Sequence, residues 1–222
     1  MNLEQSPFPT GWMGTDLPGH HACDGTYCFF EYETLPTLDE ALFRGEFQWL
    51  PPLEPRLKTI VEIHQQTPPD KLKTQLHSLI VTAQPMGLTL PAPFLAFMSD
   101  PERRDQIPSC TACYFDLPEK IVPNPVGEGY LIRFLNDQQG VLYWYLYLTE
   151  QGEPGVVVSN ILYDTEDVSR FPPESVRRAT AFCATSFEAF LYRYWMENTL
   201  WFGLEGGALM DEQKRYMAHY AK

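Results

Sequence analysis

The stretch GYLIRFLNDQQGVLYWYLYLT, residues 129–149, decides how this chain folds. Two runs of aromatic and aliphatic residues flank NDQQG at 136–140, a hairpin loop by composition and length. In the second run Tyr143, Tyr145 and Tyr147 alternate with Leu142, Trp144, Leu146 and Leu148. Successive side chains of a strand point to opposite faces, and here both sets are bulky. The pattern predicts a central strand covered on both sides. ACYFDL at 112–117 and GVVVSNILY at 155–163 share this character and are bounded by turn-forming residues. TEQGEPG at 149–155 makes the next turn, and connections this short predict an antiparallel sheet.

Helical spacing flanks the sheet on both sides. PRLKTIVEIHQQ at 55–66 sets Leu57, Ile60, Val61 and His64 on one face. PPDKLKTQLHSLIVTAQ at 68–84 offers Asp70 as an N-cap, followed by Leu72, Leu76, Leu79, Ile80 and Ala83. A proline-initiated helix carries Phe94, Leu95, Phe97 and Met98, and Ser99-Asp100-Pro101 opens a further helical turn. After the sheet, TSFEAFLYRYWMENTLWF at 185–202 places Phe187, Phe190, Leu191, Tyr194, Trp195 and Asn198 on one side. Thr185 and Glu188 fit a capping box there. ALMDEQKRYMAHYAK at 208–222 is a final amphipathic segment. Helices, then strands, then helices predict an α+β fold: a mostly antiparallel sheet flanked by helices.

Residues 1–55 differ in character. They are rich in Gly, Pro and aromatic residues, with one expected helix (TLDEALFRG, 37–45) and one expected strand (TYCFFEYE, 26–33). They read as an acidic arm packed on a main domain at 56–222. The net charge is −13, and residues up to 46 hold eight acids against the single base Arg44, a formal charge of −7. Binding to a nucleic-acid backbone or to an anionic membrane is disfavoured, because both need clustered Lys and Arg. A solvated face is the plain explanation of the excess acid; the sharper one is a surface that steers a basic protein partner. The start, MNLEQSPFPTGWMG, lacks the basic and apolar regions of a signal peptide, and no apolar run reaches membrane-spanning length. A soluble, cytoplasmic, monomeric protein is expected.

Five cysteines are an odd set, which argues against a disulfide framework. Cys110 and Cys113 form a Cys-x-x-Cys pair, but it precedes the strand-like YFDL rather than following a strand and opening a helix, the setting of a redox dithiol. Zinc is the alternative: GHHACDGTYC at 19–28 supplies His20, His21, Cys23 and Cys28, and Cys23, Cys28, Cys110 and Cys113 would make a tetrahedral thiolate set. Ordinary half-buried thiols, with no cofactor, are the simpler expectation. Asp164, Glu166 and Asp167 in YDTEDVS lack the glycine and final glutamate of a calcium loop and read as a solvated turn. A Gly-x-Ser-x-Gly elbow, a phosphate loop, a dinucleotide fingerprint and a His-Glu-x-x-His helix are all missing from the sequence, which favours a non-enzyme.

LPAPFLAFMSD, then the hairpin, then TSFEAFLYRYWMEN resemble, in that order, the landmarks of the SUKH superfamily, the Smi/Knr-like domains. The matching positions are Leu90, Pro91, Phe94 and Phe97; Gly140, Tyr143 and Tyr145; and Ser186, Phe187, Phe190 and Leu191, within about residues 56–202. One departure is Tyr147-Leu148, where members of that family often carry Asp-Leu. The resemblance implies a non-catalytic α+β domain that acts by binding proteins, most concretely an immunity protein that neutralises a cognate basic toxin. A regulatory or scaffolding domain of the same fold is the alternative, and a zinc-stabilised or thiol-active protein built on Cys110 and Cys113 is a third reading. The expected partner surface comprises Glu31 and Glu33 on the arm with Asp164, Glu166 and Asp167 in the turn.

Overall fold

A computed structural model of the 222-residue chain describes residues 6–17, 22–65, 67–149 and 154–220. Strand β1 (Trp12–Gly14) and strand β2 (Cys28–Phe30) pair antiparallel as a small two-stranded sheet in the arm. Helices α1 (Lys58–His64), α2 (Pro69–Ala83), α3 (Ala92–Met98) and α4 (Pro101–Arg104) follow. Then come strands β3 (Tyr114–Phe115), β4 (Val122–Pro123), β5 (Tyr130–Asn136), β6 (Tyr143–Leu148) and β7 (Gly155–Ser159). Helix α5 (Pro173–Arg178), strand β8 (Thr180–Ala184), helix α6 (Phe187–Leu204) and helix α7 (Asp211–Ala218) complete the chain. The main sheet runs β3-β5-β6-β7-β8, with β4 also on β5, and every strand pair in it is antiparallel. The fold is α+β, as the hairpin and its flanking periodicities predict.

Strand β6 is central and buried on both faces. Trp144, Leu146 and Leu148 enter the larger core with Phe134, Phe187 and Phe190, while Tyr145 and Tyr147 enter a second cluster with Leu131, Val157, Tyr163, Val176 and Phe182. In the larger core Phe187 makes edge-to-face contacts with Phe94, Phe97 and Phe134, an arrangement that suits the ring quadrupole. Helix α5 and strand β8 were not anticipated: α5 spans fewer than two turns, and all five residues of β8 are buried, so it shows no alternation.

Three local readings are corrected. Helix α2 begins at Pro69 with Pro68 as its cap, because proline's fixed φ and missing N–H suit the first helical position. Asp70 therefore lies in the first turn, where its charge complements the helix dipole. Ile80 is exposed while Leu72, Leu76, Leu79 and Ala83 are buried: it lies about 100° round the helix from Leu79, outside the narrow stripe that packs on the core. Helix α6 is capped by Ser186, whose side chain accepts from Ala189 N at 3.1 Å. The box expected at Thr185 does not form, and Glu188 is turned elsewhere. Ser186→Ala should therefore cost about 1 kcal/mol in urea unfolding, whereas Thr185→Ala should stay within roughly 0.5 kcal/mol of the parent.

The arm belongs to the core. Trp12, Leu17, Leu35, Phe47 and Leu50 are buried in the same cluster as the sheet. Residues 9–11 also run beside β8 as a parallel bridge, with Phe182 N donating to Pro9 O (2.8 Å) and Gly11 N to Phe182 O (3.0 Å). TLDEALFRG forms only one 3-10 turn, Glu40–Leu42, because the backbone then swings left-handed at Gly45 (φ +81) and Phe47 (φ +55). No described helix is long and apolar enough to cross a membrane.

Candidate functional site

Every residue of α6 from Phe187 to Leu200 is buried, polar ones included, because the sheet covers one side and the arm and α7 cover the other. Its polar side chains fasten that outer layer. Glu188 accepts from Gly45 N (2.5 Å), Phe47 N (3.3 Å) and Trp49 Nε1 (3.0 Å). The left-handed residues Gly45 and Phe47 aim successive amides at one carboxylate, a backbone nest for an anion. Glu197 accepts from Trp12 Nε1 (2.6 Å) and from the Tyr216 hydroxyl of α7 (2.8 Å). Arg193 donates to Pro36 O (2.9 Å) and to Tyr216 Oη (2.9 Å), and its guanidinium lies over the rings of Trp12, Tyr32 and Tyr216. Asn198 Oδ1 accepts from Cys110 N (2.7 Å). Of these four, Asn198 falls on the aromatic side that the sequence predicts, whereas Glu188, Arg193 and Glu197 lie elsewhere round the helix.

The cysteines divide in two. Cys23 and Cys28 are joined by a disulfide, their Cα atoms 5.6 Å apart. The short loop between them returns on itself to start β2, which brings the sulfurs together. The expectation of no disulfide is thus corrected. So is the four-cysteine zinc set: two of its sulfurs are bonded to each other, and among the described residues no group of three or more His, Cys, Asp or Glu is placed to hold a metal ion. His20 and His21 lie outside the described residues.

Cys110 and Cys113 are free thiols in a loop that Ala112 turns left-handed (φ +57). Ser109 Oγ accepts from Cys113 N (2.9 Å) and from the Tyr194 hydroxyl of α6 (2.9 Å). The Tyr27 hydroxyl donates to Asp137 Oδ2 (2.6 Å) and lies 3.3 Å from Cys113 Sγ. The pair is a polar joint between arm, hairpin and α6. Burial pushes the Cys110 thiol up to about 12 and moves Cys113 and Cys183 the same way, away from thiolate character. At pH 8 the Cys110 thiolate fraction is then on the order of one in ten thousand, against roughly a quarter for an unperturbed thiol near pKa 8.5. Iodoacetamide should label the native chain at least a hundredfold more slowly than glutathione. Denaturation without reductant should release three thiols, which mass spectrometry counts.

The acidic residues also divide. Asp164 is only 9% exposed and is gripped by Arg133, through Nε to Oδ1 at 3.0 Å and Nη2 to Oδ2 at 3.0 Å. Arg133 reaches Asp116 Oδ2 as well (3.3 Å), and it also donates to Asn136. Asp164 therefore anchors its turn to the sheet and does not face a partner. Glu166 and Asp167 are exposed, with Asp167 paired to Arg170 at 2.9 Å. On the arm, Asp24, Glu31, Glu33, Asp39, Glu40 and Glu46 are all exposed, and none forms an ion pair among the described residues. Of the five residues expected to form the partner surface, Asp164 is thus withdrawn into the sheet, while Glu31, Glu33, Glu166 and Asp167 are exposed.

Between the arm, α6 and α7 lies a cleft of about 670 Å³, with Asp39 of the arm in its lining. Leu38 and Leu42 of the arm and Tyr192 and Met196 of α6 supply its apolar lining, and Asp39, Glu212 and Arg215 its charges. Glu212 accepts the Tyr192 hydroxyl, and at the cleft's end His219 Nε2 meets Thr34 O at 2.9 Å, tying α7 to the arm. Sequence reasoning missed the cleft because its walls lie more than 150 residues apart along the chain. The one available signal was the acidic turn LDE at 38–40 within an otherwise apolar run.

No family model, curated protein or solved structure matches this chain.

Proposed function

We propose that this chain is a non-catalytic protein-binding domain of the SUKH type, an immunity protein that captures a basic toxin through its arm. The observation that carries the reading is that six arm carboxylates are exposed, against the single exposed base Arg44 among the described arm residues. Unpaired surface carboxylates add little to folding, but together they set up a field that accelerates the approach of a cationic protein. The buried, unactivated thiols agree with a role by contact. The ordered motifs Leu90-Pro91-x-x-Phe94-x-x-Phe97, the aromatic strand β6 and Ser186-Phe187-x-x-Phe190-Leu191 support the fold assignment through the core and cap roles they play here.

The test pairs the chain with toxins encoded beside its gene. Co-expression should protect cells, and the purified proteins should associate at a rate that falls steeply with ionic strength. Reversing Glu31, Glu33, Asp39 and Glu40 to lysine should slow association at low salt by roughly ten- to a hundredfold. A basic partner without toxin activity would assign the chain to a regulatory role on the same fold. Failure to capture any basic partner would sink the proposal.

A further inference from the structure

We infer that the cleft between the arm and α7 receives an arginine side chain of the protein partner. This rests on the basic-partner reading above and names the place where recognition occurs. The cleft, at about 670 Å³, falls within the size range of ligand pockets. Its lining suits a long amphipathic side chain: the half-buried Leu38 and Leu42 offer apolar surface to a methylene stem, and Asp39 and Glu212 offer carboxylates to a planar cation.

The charges point the same way. Asp39 is exposed, and among the described residues its side chain accepts a hydrogen bond from Ala41 N (3.0 Å) alone, within its own turn. Glu212 is half-buried and accepts the Tyr192 hydroxyl. A carboxylate has about four acceptor sites, so both retain capacity for a fork of N–H donors. Glu40, on the same 3-10 turn as Asp39, adds a third exposed acid nearby.

Arg215 is the opposing group. It is exposed, it lines the cleft, and it forms no ion pair among the described residues. In the free chain it offsets part of the rim's negative charge, and a partner arginine must work against it. A second copy of this chain is a poor occupant, because two molecules of charge −13 repel. Lysine is less well suited than arginine: its compact ammonium lacks the planar fork of donors that pairs with carboxylates.

The test uses hexa-arginine and hexa-lysine peptides at low ionic strength, with methyl-detected NMR of the full chain. Hexa-arginine should shift the methyls of Leu42 and Met196. The double variant Asp39→Asn with Glu212→Gln should weaken binding roughly tenfold, and Arg215→Ala should tighten it about threefold. Shifts confined to the neighbourhood of Glu31 and Glu33 would overturn the cleft while leaving the basic-partner reading intact. Binding weakened by Arg215→Ala, or equal binding of the two peptides, would also overturn it. No binding of either peptide would overturn both readings.

Discussion

Replacing Glu188 with alanine should destabilise the chain by roughly 3 to 5 kcal/mol and set residues 45–49 free. The carboxylate is 2% exposed and is the shared acceptor of two amides and an indole N–H. Removing it strands those donors where water is scarce, and the full desolvation cost of each then appears. It also removes the reason for the backbone to hold Phe47 at φ +55, a conformation that costs a non-glycine residue about 1 to 2 kcal/mol. Once the nest has nothing to bind, the segment should relax to ordinary φ. The midpoint of thermal unfolding should drop by roughly 6 to 20 °C, at 2 to 4 °C per kcal/mol for a chain of this size. Limited proteolysis should cut the variant near Arg44 long before the parent. Glu188→Gln keeps an acceptor oxygen and should lie between the two. A variant as stable as the parent, with its arm equally protected, would show that Glu188 does not hold the arm.

The second large effect is expected at Arg133. Its guanidinium, on the inner strand β5, is the common partner of Asp164, Asp116 and Asn136, beside the register shift between Arg133 and Leu135. Arg133→Ala leaves two carboxylates facing each other without their cation, at a cost of roughly 3 to 5 kcal/mol. Asp116 keeps Lys71 at 3.3 Å and the Thr67 hydroxyl at 3.1 Å, so Asp164 is the group left stranded. Replacing the pair together, Arg133→Met with Asp164→Leu, should recover roughly 2 kcal/mol or more, because an apolar pair of similar volume carries no desolvation penalty. Chemical denaturation of the three proteins completes the comparison. A double variant no better than Arg133→Ala would mean that the cost lies in packing rather than in charge.

These two sites mark where sequence stopped being legible. The hairpin at 129–149, the two-faced pattern of β6 and the leucine faces of α2 were readable because each is a local period imposed by one kind of backbone. The N-cap of α6 was misplaced by one residue because Thr185 and Ser186 are chemically equivalent, and only the Glu188 side chain decides between them. Glu188 itself fits a capping box by spacing, yet its partner lies 143 residues away in Gly45. Arg133 sits in an apolar run and Asp164 in an acidic turn, with nothing in either segment to show that they meet. The candidate cleft was hidden for the same reason. Glu31 and Glu33 were visible as acids, whereas the shape beside them exists only once α7 has reached the arm.

The fastening of the arm on α6 has a consequence for synthesis. Trp12 finds Glu197 across 185 residues, Pro36 finds Arg193 across 157, and Gly45 finds Glu188 across 143. A chain leaving the ribosome therefore exposes Trp12, Leu35 and Phe47 for most of its translation, with nowhere to bury them. At about 5 to 20 residues per second that wait lasts on the order of ten seconds or more. The arm is made early and placed last.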